Sequence, residues 1–137
     1  MPMFTVQVSM PKWFRFWPFF TVALAIFWLS VIKTPSLKLY ENWFWDNVDK
    51  FGHALVYAAL FFSGASSLRN FSDNKQLTFN SLVILSVICF LYGFSIEILQ
   101  HFLPYRSFDP FDMLANAIGI ILGRLIFVRI YSKAFVS

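Results

Sequence analysis

His53, Glu97, Asp112 and Asn116 lie within, or at the edge of, long apolar runs. An imidazole, two carboxylates and an amide can move protons, hold a cation or hydrogen-bond a polar head group. A charged residue in a membrane is costly, roughly 2.5–3.5 kcal/mol at a helix centre on insertion scales. Such residues normally face a bundle interior or a wet cavity, so a functional site is the first hypothesis for them.

The surrounding residues extend the pattern. Asp49, His53 and Tyr57 recur at i, i+4 and i+8, drifting only about 40° per step around a helix. They form one polar stripe, with Lys50 beside it. Glu97 shares a helix face with Gln100 and His101 at i+3 and i+4. Asp112, Asn116, Gly119 and Gly123 fall within an arc of about 60°. Lys50 and Arg106 supply positive charge for a phosphate or carboxylate, which arginine can bind bidentately. His53 with Glu97 or Asp112 has the makings of an acid and a base. Metal-ligand spacing is not evident, because there is no His-x-x-x-His and only 2 histidines. The spacing therefore predicts neither a metal nor another cofactor.

Helices must position these residues. The chain of 137 residues is 58% hydrophobic and 13% charged, where a soluble domain carries about 25% charged residues. Apolar runs cover Phe16–Ile32, Phe51–Leu68, Leu77–Leu99 and Met113–Tyr131. A span needs about 20 residues, within a range of about 17–25. The expectation is an all-α, four-helix transmembrane bundle in a single domain over 1–137, with helices at about 16–32, 51–68, 77–103 and 111–131. Lys12 and Arg15 precede the first run as in a signal peptide. The stretch after it, Leu29-Ser30-Val31-Ile32-Lys33, lacks small-residue cleavage chemistry, so the run reads as a retained helix.

Four spans put both termini and the middle loop on one side. That side carries Lys12, Arg15, Arg69, Lys75, Arg129 and Lys133; the other carries Lys33, Lys38, Lys50 and Arg106. The bias predicts that both termini are cytoplasmic. It also accounts for the formal charge of +4, with no basic soluble face for nucleic acid. Cys89 is the only cysteine, which excludes an intramolecular disulfide.

Each polar residue also has a structural role open to it. Asp109-Pro110 or Asp112 can begin the fourth helix. Asp109 and Arg106 can pair within a turn, and His53 can fix helix packing through Glu97 or Asp112. Tyr57 alone would anchor at an interface. Asn116 can act as interhelical glue, worth about 0.6 kcal/mol in measured cases. Gly119 and Gly123, with Ala115, form a small-xxx-small stripe suited to a helix partner. The set is harder to explain this way than its members, since replacing buried ion pairs by apolar residues is often neutral or stabilising.

The run from Asp49-Lys50 through His53 and Tyr57 resembles the first motif of the VanZ-like membrane protein family. Glu97-Ile-Leu-Gln100, Pro104-Tyr-Arg106 and the series Asp109, Asp112, Asn116, Gly119 resemble its E-x-x-Q, P-x-R and D-x-x-x-N-x-x-G blocks. The resemblance covers roughly Val48–Gly123. It implies a small polytopic protein of the bacterial inner membrane. The family is named for a member associated with resistance to the glycopeptide teicoplanin, so antibiotic resistance attaches at family level.

The leading expectation is a site at the outer membrane face for a membrane lipid, a lipid-linked envelope precursor or a glycopeptide-type ligand. His53, Glu97 and Asp112 are its candidate catalytic groups. Asp49, Lys50, Tyr57, Gln100, Arg106, Asp109 and Asn116 are its candidate ligand-binding groups. An enzyme acting on a lipid head group and a membrane scaffold remain the alternatives.

Overall fold

The computed structural model describes residues 11–32, 43–73, 75–106 and 108–131, the side chains of 43–47 excepted. Lys33, Lys38 and Lys133, which enter the charge bias, lie outside these residues. A 3-10 turn, Lys12–Phe16, leads into helix α1, Trp17–Val31. Helices α2, Trp43–Phe71, α3, Phe79–His101, and α4, Pro110–Ile130, follow. The architecture is all-helical, and α2, α3, α4 and the Lys12–Val31 segment that joins the 3-10 turn to α1 are each long and apolar enough to cross a membrane. The protein is therefore an integral membrane protein by composition and fold.

Local sequence sets the ends. Pro18 occupies the first turn of α1, where its missing N–H costs nothing. The Thr78 hydroxyl accepts from the Ser81 amide at 3.2 Å and caps α3. The Asp109 carboxylate accepts from the Phe111 amide at 2.8 Å, with Pro110 next, and caps α4. Of the two possible starts, Asp109 is the cap.

The largest difference from expectation is α2, which begins at Trp43 rather than near 51 and ends at Phe71 rather than 68. Hydropathy marks where a helix turns polar, not where it stops. No glycine or proline interrupts residues 43–50. At 1.5 Å per residue, the 29 residues of α2 span about 43 Å, against a hydrocarbon core of about 30 Å. The polar first turns thus reach beyond the apolar layer.

Helix α2 is the hub, packing on α1, α3 and above all α4. The α2–α4 approach is close because small residues meet. A Cβ on Gly119 would strike the Ala54 backbone carbonyl, and one on Gly123 would lie 2.5 Å from the Ala58 oxygen. The glycine stripe therefore finds its partner inside the chain. Tyr57, Leu60 and Phe61 of α2, Leu82 and Cys89 of α3, and Phe127 of α4 form the core. Helix α1 lies at the edge, with only Ile26 and Ser30 buried. Phe20, Leu24, Phe51, Leu55, Ile84 and Leu125 are among the large apolar residues left exposed, as lipid contact requires.

Basic side chains anchor the face that carries the α2–α3 connection. Lys12 pairs with Asp73 at 2.7 Å, and Arg15 donates to the Asn70 carbonyl. The Lys12 ammonium holds the exposed Asp73 carboxyl below its ordinary range. Arg69 stacks on Tyr131, and Arg124 on Phe79.

Candidate functional site

At the opposite face, α1 and α3 end and α2 and α4 begin. The long α2 carries Asp49, His53 and Tyr57 down one side, and all three line a cavity of ≈ 180 Å³. Ser30 of α1, Gln100 of α3 and Arg106 of the α3–α4 connection complete its polar wall. Ile26, Leu29, Val56 and Ile96 supply the apolar part.

His53 joins α2 to α4. Its Nδ1 lies 3.0 Å from Asn116 Oδ1, and its Nε2 lies 3.7 Å from Asp112 Oδ2. An amide oxygen only accepts, so Nδ1 carries the proton and donates. Nε2 is thereby turned toward the carboxylate. Asp112 and Asn116 are both buried, and α4 brings them to the same histidine because they are one turn apart.

Glu97 is 0% exposed, and neither of its oxygens has a hydrogen-bond partner among the described residues. It lies within electrostatic reach of His53, Asp112 and Asp109. The Asp109 backbone amide is near it without reaching hydrogen-bond geometry. Tyr57 Oη, Asp112 Oδ1 and Asn116 Nδ2 are likewise buried without partners. Buried polar groups are normally satisfied. Four such residues, Tyr57, Glu97, Asp112 and Asn116, are drawn from three helices.

Several pairings differ from the sequence expectation. Asp109 pairs with Lys50, at 3.5 Å, rather than with Arg106. It serves as helix cap and ion-pair partner together. Arg106 Nη2 instead donates to the Leu29 carbonyl at 3.4 Å. His53 hydrogen-bonds Asn116 rather than either carboxylate. His101, on paper beside Glu97, is exposed and edges onto Phe102.

Sequence reasoning missed the contribution of α1. Tyr105 donates to the Val31 carbonyl at 2.7 Å, and Gln100 to the Ser30 carbonyl at 3.5 Å. With Arg106, they satisfy carbonyls that the end of a helix leaves open. Proline and polar residues just after a helix were the available signal. They mark the connection but not the neighbour it ties down. Spacing also hid a short-range cluster: ligand-type atoms of Asp49, His53 and Asp112 all lie within 4.8 Å of one another.

Fold and site together define a small polytopic membrane protein with a polar pocket at one membrane face. The VanZ/LLP1 family model matches residues 3–131. The chain belongs to that family. No curated protein and no solved structure matches it.

Proposed function

We propose that this VanZ-like protein binds the polar head of an envelope lipid or lipid-linked precursor at the outer face of the bacterial inner membrane. The cavity beside His53 carries this reading. Its ≈ 180 Å³ is below the roughly 300–1,000 Å³ of drug-sized pockets. That volume favours a head group over the body of a glycopeptide. A glycopeptide would engage the site through one anionic or sugar substituent. Lys50 and Arg106 contribute positive charge, while Asp49, Tyr57 and Gln100 offer hydrogen bonds. The exposed apolar helices leave the acyl chains in the bilayer.

The test is native mass spectrometry of the protein released from nanodiscs of defined composition. Retention of a phosphate-bearing lipid by the wild type, and its loss in Arg106→Gln, supports the reading. Equal retention by both overturns it.

A second reading, hydrolysis of the bound head group, draws on the buried Glu97 beside the His53–Asp112 pair. A carboxyl group and an imidazole 3.7 Å apart need a bridging water or a small closure to pass a proton. Release of phosphate or a phosphorylated head group from labelled lipid, lost in His53→Gln, is its assay. Absence of turnover in a preparation that binds the lipid removes it.

A further inference from the structure

We propose that Asp49, His53 and Asp112 form a site for one divalent metal ion, of the zinc or manganese class, at the cavity. One imidazole nitrogen and two carboxylates suit these ions. Ligand atoms from the three residues converge within 4.8 Å, against bonds of about 2.0–2.2 Å from metal to nitrogen or oxygen. Asp49 is exposed, which leaves its side chain room to adjust to an ion.

The histidine is prepared for this role. Its Nδ1–H donates to Asn116 Oδ1 at 3.0 Å, which leaves the Nε2 lone pair free to ligate. Metal-bound histidines almost always use their second nitrogen in this way. Nε2 and Asp112 Oδ2 then oppose each other as two acceptors, 3.7 Å apart. That distance exceeds a hydrogen bond and leaves room for a cation between the two ligands.

Two further observations concern carboxyl oxygens that an ion could engage. Asp112 is 8% exposed, and its Oδ1 has no hydrogen-bond partner among the described residues. The fully buried Glu97, with neither oxygen partnered, interacts with the same His53 and Asp112. Asp49, Glu97, Asp109 and Asp112 thus gather around Lys50, Arg106 and one imidazole. A divalent ion there would meet carboxyl oxygens from more than one helix. If the head-group proposal holds, the ion's open positions would take the phosphate that these carboxylates would otherwise repel.

The experiment is titration of the full chain, stripped with EDTA and exchanged into chelator-free detergent, with Zn²⁺ or Mn²⁺ alone. Calorimetry gives the stoichiometry, and Co²⁺ absorption reports nitrogen and oxygen ligation. The expected result is one saturable equivalent, a rise in melting temperature, and affinity weakened more than about tenfold in Asp49→Asn and in His53→Gln. Asp73→Asn, at the opposite face, should bind as the wild type does. Asp49 is exposed, so its variant should keep the fold, and circular dichroism checks this. No saturable binding of either ion, or undiminished binding in both site variants, overturns the metal site. Lipid retention by wild type and Arg106→Gln, compared both in EDTA and with metal restored, tests the head-group reading separately.

Discussion

His53 and Asn116 share a 3.0 Å hydrogen bond between α2 and α4, one turn from where Gly119 meets Ala54. The bond and the glycine contact are coupled, because Asn116 and Gly119 lie on one face of α4. A double-mutant cycle with His53→Ala and Asn116→Ala should give a coupling energy between about 0.6 and 1.7 kcal/mol, the average and the maximum for interhelical hydrogen bonds in membranes. Additive effects on unfolding in detergent would mean that the bond contributes nothing.

Two glycine-to-alanine changes should have opposite signs. Alanine favours a helix over glycine by about 1 kcal/mol, and nothing lies within 4 Å of a Cβ at Gly52. Gly52→Ala should leave the melting temperature unchanged or raise it. Gly119→Ala drives a methyl group into the Ala54 carbonyl, and overpacking of this kind costs about 1–3 kcal/mol. Gly119→Leu should lower folded yield further. A Gly119→Ala protein as stable as the wild type would disprove the close contact.

Glu97→Gln separates function from packing. The substitution nearly preserves shape while removing the ability to ionise. Neither Glu97 oxygen has a hydrogen-bond partner to lose among the described residues, so stability should change little. Under the hydrolysis reading, head-group turnover should fall by about tenfold or more, equivalent to at least 1.4 kcal/mol in the barrier, while lipid retention holds. Normal turnover with normal stability would remove Glu97 from that reading.

Orientation can be read by cysteine labelling in a Cys89→Ser background. Ser107→Cys should react with an impermeant reagent applied to intact cells, and Ser72→Cys should be protected. The reverse pattern would place both termini outside.

The four helices were legible because about 20 apolar residues in a row have few other fates. The start of α2 was not, since residues 43–50 are too polar to register as a span. Within the site, the Asp49–His53–Tyr57 stripe and the Asp112–Asn116 pair followed from helical periodicity. Which stripe faces which was beyond periodicity. Lys50 with Asp109, and His53 with Asn116, are pairings between helices, set by the rotation at which α2 and α4 lock together. The covering of the site by α1 left even less trace, because backbone carbonyls are its acceptors and every residue has one.

The packing of α2 against α4 orders events in time. These helices are not neighbours in the chain: α3 separates them, and α4 is the last of the four to be synthesised. His53 enters the membrane well before Asn116 and Asp112 exist to meet it. Asp109, which pairs with Lys50, is also made late. Until α4 arrives, the small-residue face of α2 at Ala54 and Ala58 has no mate and the pocket has only part of its wall. Completion of the site therefore coincides with completion of the bundle, and a chain that stalls before α4 inserts has no assembled site to offer a ligand.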